Sequence, residues 1–388
     1  MDFSLKRVLT RREWLAQTGM MAFALNAFSP ARLLADAVAA SPLKGPPSRD
    51  LYLFSFEKRP AGDTYDSGLS VLWDRGKNTF TNIISDGYAH SFAPFPHDPS
   101  RFLGVGKRNG FIGVLDTKLN NCPSAFMPTP NHTPNGHAAF SPDGNEIFLS
   151  EIEKISGVGK IVVRDSRSFK VIREFPAYGR RPHEIKFSAD GKTLVVANFS
   201  GGLGLNGCNL VQIDVASGKQ LRRFDADRAV RGGHFHTTEE GYQLVGVVSF
   251  ADGVEEDACE GAVWVIDPKG KFRWLEAPAE FKDHLKGDTA AISVDEAKGV
   301  IYAIGHNGIG ILGWNYRTGA FVGQWLSKGT AGFESRPLGR KELVTTQILD
   351  PKTCSVVVLD GSSLALKERI PFPLQDFIPN PHISHVKA

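Results

Sequence analysis

The sequence has little or none of several features that would decide its class directly. Four cysteines in 388 residues are too few for a disulfide scaffold. No Cys-x-x-Cys pair supports thioredoxin-like chemistry or covalent haem attachment, and no Gly-x-Ser-x-Gly motif supports an α/β-hydrolase nucleophile. After residue 40, no run reaches the roughly 18 apolar residues that span a bilayer, and no stretch shows sustained helical periodicity.

An excess of one charge is also missing. Lys and Arg number 45 against 42 Asp and Glu, a formal net charge of +3. The first 39 residues hold five cations and three anions, so the remainder carries 3 − 2 = +1. So small a charge argues against a nucleic acid or an anionic membrane surface as a partner. The hydrophobic content of 41% is enough for a packed core.

The N-terminus has the features of an export signal. Thr10, Arg11 and Arg12 precede Glu-Trp-Leu, which matches the twin-arginine signature. A modestly apolar stretch and Ala-x-Ala cleavage sites after Ala37 or Ala39 follow in the required order. We therefore expect residues 1–39 to be a twin-arginine signal peptide and the mature protein to lie in a bacterial periplasm. An ordinary amphipathic N-terminal helix is the alternative.

A unit of 46 to 54 residues recurs along the chain, with copies that start at residues 90, 137, 183, 234, 288, 334 and 382. Each copy has a short strand, a turn of the Ser-Pro-Asp-Gly type, a second strand, a variable loop and two further strands. The strands are rich in Val, Ile, Phe and Leu, and the turns contain Asp-Gly or Asn-Gly pairs. Four strands in such a period are typical of a β-propeller blade.

The two ends of the chain complete one blade. After residue 381 there is room for a single strand, whereas residues 50–84 contain three strands that no repeat uses. The pattern therefore predicts an all-β fold with residues 40–388 in one domain, a seven-bladed β-propeller. Its last blade is closed by the C-terminal strand and three N-terminal strands, which pairs the edges that an open ring would expose. Two smaller β domains are the alternative.

These motifs resemble two groups of proteins. The Ser-Pro-Asp-Gly and Ser-Ala-Asp-Gly repeats, with residues 194–198 and Ile213-Asp214, look like the lactonase-like, YVTN-type propeller superfamily. The leader, residues 134–137 and residues 181–184 resemble an uncharacterised bacterial family of exported propellers, often encoded beside imelysin-type iron-associated proteins. The resemblance implies a link to iron or metal handling, but it transfers no catalytic residue.

Histidine or a carboxylate stands at the start of the innermost strand of every copy. The residues are His90, His137, His183, His234 with His236, Asp288, Glu334 and His382. Since these strands line the central channel, their side chains would surround one mouth and could bind Fe, Cu or Zn. The alternative is that each histidine only fixes its own blade by hydrogen bonds. Counting back from the following Phe, His137 aligns with Glu184, and this offset could turn His183 away from the channel.

Further polar groups are expected at the same mouth. Arg181, Glu184, His306 and Asn307 are candidate ligand-binding residues, and Arg181, Glu184 and Glu334 could serve a lactonase. Cys208 and Cys259 occupy equivalent loops in consecutive copies. Because the periplasm is oxidising, these residues could form a disulfide; two free thiols are the alternative.

These observations favour a periplasmic binding or accessory protein that holds a metal ion, a metal chelate or a partner protein of an iron-handling system. An enzyme at the same mouth is the second hypothesis, either a lactonase-like hydrolase or a metal-dependent oxidoreductase. A purely structural propeller is the third.

Overall fold

Antiparallel β-strands make up nearly all the regular structure in the described part of the chain. The computed structural model describes residues 50–57, 68–107, 109–200, 207–249, 259–287, 289–305, 310–326, 330–338, 342–350, 353–372 and 378–387. The predicted signal peptide lies outside these residues. Within them, no helix has both the length and the apolar character that a membrane span requires.

The first sheet joins the two ends of the chain. Its strands are β1 (Asp50–Glu57), β2 (Gly68–Asp74), β3 (Thr79–Ser85), β4 (Ser91–Phe95), β5 (Asp98–Val105), β6 (Ile112–Asp116), β7 (Asn121–Cys122) and β27 (Ile378–Lys387). They follow the order β27-β1-β2-β3-β7-β6-β5-β4, in which only β3 and β7 pair in parallel. The sheet therefore contains two four-stranded units, β27-β1-β2-β3 and β4 to β7.

The second sheet also contains two units, which share a strand. Its strands are β8 (His132–Phe140), β9 (Glu146–Glu153), β10 (Val158–Asp165), β11 (Val171–Phe187), β12 (Thr193–Ser200), β13 (Asn209–Asp214) and β14 (Gln220–Asp225). The first part of β11 pairs with β10 and its second part with β12. One long strand thus ends one unit and begins the next.

Three separate four-stranded sheets follow. They are made of β15 (Val230–Thr237), β16 (Gln243–Ser249), β17 (Gly261–Ile266), β18 (Phe272–Glu276); β19 (Thr289–Asp295), β20 (Val300–Gly305), β21 (Gly310–Asn315), β22 (Phe321–Leu326); and β23 (Thr330–Leu338), β24 (Glu342–Asp350), β25 (Thr353–Asp360), β26 (Leu366–Pro371). A short 3-10 helix, Ala279–Leu285, lies between β18 and β19.

The predicted union of the chain ends is present. β27 pairs antiparallel with β1, so that Val386 lies opposite Leu51 and Ile383 opposite Phe54. The first strands of the units contact one another in the order β27, β4, β8, β11, β15, β19, β23 and again β27. The all-β propeller architecture is therefore confirmed, and the number of blades stays a prediction, although the described strands fall into seven four-stranded units.

Apolar side chains pack between neighbouring units. One cluster joins Val195 and Leu210 to Val245 and Trp264, which belong to the next unit along the chain. Another joins strands β1 and β2 to β24 and β25, and it includes the fully buried Trp73. Burial of apolar surface between units holds each inner strand in place at the centre, where the candidate site lies.

Candidate metal centre

Four of the predicted histidines come together in the interior. They come from the first strands of four consecutive units: His90 immediately precedes β4, and His137, His183 and His234 lie in β8, β11 and β15. All four are buried, and one ligand nitrogen of each lies within 4.8 Å of the ligand nitrogens of the others. We call this group the four-histidine centre.

The imidazole rings of the centre are in contact. Nε2 of His90 lies 3.4 Å from Nε2 of His183. The ring centroids of His137 and His183 are 4.6 Å apart, and those of His183 and His234 are 4.8 Å apart. These two ring pairs are inclined at 87° and 71°, so that the edge of one ring faces the plane of the other.

Irregular strand pairing allows this convergence. The register shifts between Pro134 and Ala138 in β8 and between Pro182 and Ile185 in β11. A third shift lies directly before His234 in β15. A bulge redirects side chains that strict alternation would send to opposite faces. The one-residue offset noted in the sequence therefore does not turn His183 away from the centre.

Two glycines make room for the rings. Gly136 has φ +101°, and a Cβ atom there would lie 2.3 Å from Cδ2 of His90. A Cβ atom at Gly233 would lie 2.5 Å from Cδ2 of His183. Any side chain at either position would overlap a histidine. Sequence analysis missed both glycines, although each directly precedes a histidine of the centre.

A reciprocal pair of hydrogen bonds orients His183. Its Nδ1 lies 2.7 Å from the carbonyl oxygen of Asn135, and the side-chain amide of Asn135 donates to the carbonyl of Pro182. Because a carbonyl can only accept, Nδ1 of His183 carries the proton, and its Nε2 presents a lone pair to the centre. Metal-binding histidines are commonly fixed through the second ring nitrogen in this way.

Glu184 lies beside the centre. Its Oε2 accepts a hydrogen bond from the backbone N–H of Phe235 at 2.7 Å and lies 3.7 Å from Nδ1 of His234. Its Oε1 forms an ion pair with Nζ of Lys186 at 2.7 Å. Burial alone would raise the pKa of Glu184, but Lys186, His234 and His137 together lower it well below its usual value. The carboxyl group is therefore ionised.

His236 was predicted as a ligand, but the structure places it outside the four-histidine centre. Its Nε2 lies 2.7 Å from Oε1 of Glu296, in the following unit. Only Phe235 separates it from His234 along β15, so the two histidines lie on the same side of the strand about 7 Å apart along its axis. Burial and nearby Lys186 lower its pKa, against the opposing effect of Glu296.

The remaining predicted site residues either make contacts away from the four-histidine centre or have side chains outside the described part of the structure. Glu334 and His382 lie in the inner strands β23 and β27, but their side chains are outside the described part, as are His306, Asn307 and Asp288. The guanidinium group of Arg181 lies 4.9 Å from the ring of Phe199. The Arg181 and Glu184 contacts described here are thus made with different groups, and no lactonase arrangement follows from them.

All four cysteines are buried. Cys208 lies directly before β13 and Cys259 lies two positions before β17, the third strands of consecutive units, as the sequence predicts. A disulfide between them stays a prediction. Burial raises the pKa of the Cys354 thiol to about 12 and also strongly raises that of Cys122. Those two thiols are therefore not activated nucleophiles at neutral pH.

The four-histidine centre fits a transition-metal ion. Neutral imidazoles suit Zn, Cu and Fe, and the 3.4 Å between Nε2 of His90 and Nε2 of His183 matches the separation of about 3.4 Å between two nitrogens bound tetrahedrally at 2.0–2.1 Å. A pair of ligand nitrogens at the 4.8 Å limit of the group would have to approach by about 1.4 Å to bind the same ion tetrahedrally. A bound ion would supply Lewis acidity or, if it is Cu or Fe, a change of oxidation state.

Comparison with models of protein families assigns the chain to a family. Residues 86–349, more than half of its length, match the model of a family described as "Protein of unknown function (DUF1513)". The chain belongs to the DUF1513 family. The match includes all four residues of the four-histidine centre. A search of curated proteins gives no match.

Solved structures similar to this DUF1513 protein are propellers. A candidate 6-phosphogluconolactonase from Bacteroides fragilis has a TM-score of 0.58 at 13% identity, over 89% of this chain and 100% of its own. Another from Bacteroides uniformis has 0.58 at 14%, over 87% and 99%. Hydrazine synthase from Kuenenia stuttgartiensis has 0.52 at 15%, over 76% and 92%. At these identities the likeness shows the fold alone.

Proposed function

We propose that this DUF1513 protein is a metal-binding propeller of the bacterial periplasm, where it acts as a binding or accessory protein in iron or other metal handling. The observation that carries the proposal is the burial of four histidines whose ligand nitrogens lie within 4.8 Å of one another. One Fe, Cu or Zn ion would be held by His90, His137, His183 and His234. The predicted export signal and the resemblance of the sequence to propellers encoded beside iron-associated proteins support the periplasmic role.

The chemistry of the donors supports a transition metal over a hard cation. Ca²⁺ and Mg²⁺ take oxygen ligands, whereas the centre offers imidazole nitrogens. The hydrogen bond from His183 to Asn135 holds one ring ready, and Gly136 and Gly233 keep the space around the rings free of side chains. With its proton on Nδ1, His183 directs the lone pair of Nε2 toward Nε2 of His90, 3.4 Å away, where it can bind a metal ion or accept a hydrogen bond from His90.

Elemental analysis tests the proposal. The full-length protein, exported by its own leader and purified from periplasm without a histidine tag, is analysed for Fe, Cu and Zn. We expect one equivalent of one metal per chain, and a rise in melting temperature when that metal is returned to the stripped protein. Less than about a tenth of an equivalent, with no thermal shift for any of the three metals, would overturn the proposal.

Ligand variants locate the ion. His137→Ala and His234→Ala should each lower the metal affinity by more than about 10- to 100-fold. A loss of that size is typical when a residue that only hydrogen-bonds to a metal ligand is removed. The matched control is His132→Ala, because His132 lies in the same strand as His137 but bonds through Nδ1 to the carbonyl of Pro130. Metal binding that survives both ligand variants would place the ion elsewhere.

A further inference from the structure

We infer that Glu184 and Lys186 set the charge around the four-histidine centre, and that Glu184 makes it prefer a divalent metal ion to a monovalent one, a role that rests on the proposed function of the centre. Four neutral imidazoles contribute no charge, so a divalent ion alone would leave two positive charges in the protein interior. A buried anion nearby would offset part of this charge.

Glu184 is placed to supply that anion. Its Oε2 lies 3.7 Å from Nδ1 of His234, which is too long for a hydrogen bond but close enough for a strong charge interaction. Its side chain is only 10% exposed. Electrostatic attraction between a metal ion and the carboxylate is proportional to the charge of the ion, so a divalent ion gains twice as much as a monovalent one.

Lys186 opposes this effect only partly. Its Nζ lies 2.7 Å from Oε1 of Glu184, whereas the other carboxylate oxygen, Oε2, is the one near His234. The side chain of Lys186 is 36% exposed. Solvent screens an exposed charge more than a buried one. The negative charge of Glu184 therefore acts on the four-histidine centre more strongly than the positive charge of Lys186, which offsets it only in part.

The same pair also has a structural role, which the test must separate. Glu184 accepts from the N–H of Phe235, and Nζ of Lys186 donates to the carbonyl of Phe235 at 2.5 Å. Two side chains of β11 thus satisfy both backbone groups of one residue of β15. Glu184→Gln and Lys186→Gln are suitable variants, because a glutamine can still accept or donate a hydrogen bond while it removes the charge.

The test compares Cu(I) and Cu(II) affinities, measured with competing chelators under anaerobic and aerobic conditions respectively. We expect Glu184→Gln to weaken Cu(II) binding by about 10- to 100-fold and Cu(I) binding by clearly less. We expect Lys186→Gln to strengthen Cu(II) binding by several fold, because the carboxylate is then uncompensated. A folding defect would not produce effects of opposite sign.

Glu151→Gln is the matched control. Glu151, in β9, is fully buried, and its carboxylate accepts hydrogen bonds from the N–H and the hydroxyl of Thr129. The Glu151→Gln variant therefore reports the general cost of removing the charge of a buried carboxylate. Melting temperatures of the metal-free variants are measured in parallel.

The outcomes separate the two proposals. Equal losses for Cu(I) and Cu(II) in Glu184→Gln, or no gain in Lys186→Gln, would leave the pair a structural link only and overturn the inference while the metal centre stands. A wild-type protein that binds neither ion, nor Zn or Fe, would instead overturn the proposed function itself.

Discussion

Substitution of Gly136 by Ala tests whether the glycine positions the four-histidine centre. The backbone there has φ +101°, and the added Cβ would lie 2.3 Å from Cδ2 of His90 and 3.2 Å from Cε1 of His183. The left-handed conformation costs a non-glycine residue about 1–2 kcal/mol, and overpacking costs about 1–3 kcal/mol more. The free energy of unfolding should therefore fall by about 2–5 kcal/mol, a large part of the roughly 5–15 kcal/mol typical of a domain.

Gly110→Ala separates the two contributions. Gly110 has φ +74°, but a Cβ there would have nothing within 4 Å, so that variant should lose only the backbone part, about 1–2 kcal/mol. Equilibrium unfolding in urea measures both losses, and calorimetric titration measures metal affinity. Gly136→Ala should also bind metal more weakly because His90 is displaced, whereas Gly110→Ala should bind it normally. Equal losses of stability, or unchanged metal affinity in Gly136→Ala, would refute the reasoning.

Two further predictions concern the fold. Ile383→Ala in β27 should lower the free energy of unfolding, measured in urea, by about 2–5 kcal/mol, since Ile383 is buried against β1. If a chain that lacks residues 378–388 melted at the same temperature as the full-length protein, the closure by β27 would be contradicted. Hydrogen bonds from Ser141 and Asn145 lower the pKa of the Asp143 carboxyl to about 2. Its stabilising effect should be complete above its unfolded pKa of about 3.9 and be lost as pH falls through 2, and Asp143→Asn should remove that part of the acid sensitivity in unfolding curves measured from pH 5 to 2.

The propeller was predictable because its evidence is local and repeated. Turns such as Ser141–Gly144 recur in a unit of 46 to 54 residues, and each favours a hairpin by its own backbone preference. The closing strand was predictable by counting, because only one strand fits after residue 381 while three precede residue 85. Neither step requires knowledge of side-chain contacts.

The geometry of the centre was less predictable because it depends on irregular pairing. Strict alternation treats His137 and His183 as facing different ways, yet shifts in β8 and β11 bring both into the centre. A bulge is stabilised by tertiary contacts that the hydrophobic pattern of one strand does not reveal. Equivalence around the ring also grouped His236 with the other histidines, whereas its Nε2 lies 2.7 Å from Oε1 of Glu296 in the following unit.

Glycine is a second signal for the centre, one that the histidine pattern alone did not reveal. Gly136 and Gly233 leave space beside the rings of His90 and His183 that a side chain at either position would fill. A repeated histidine that merely fixed its own blade would have no reason to sit against a glycine of the next unit, because its hydrogen bonds would be made within the blade. His90 contacts the glycine of β8, and His183 contacts the glycine of β15. These two rings thus occupy space that the following unit leaves open, which favours a shared centre over independent structural histidines.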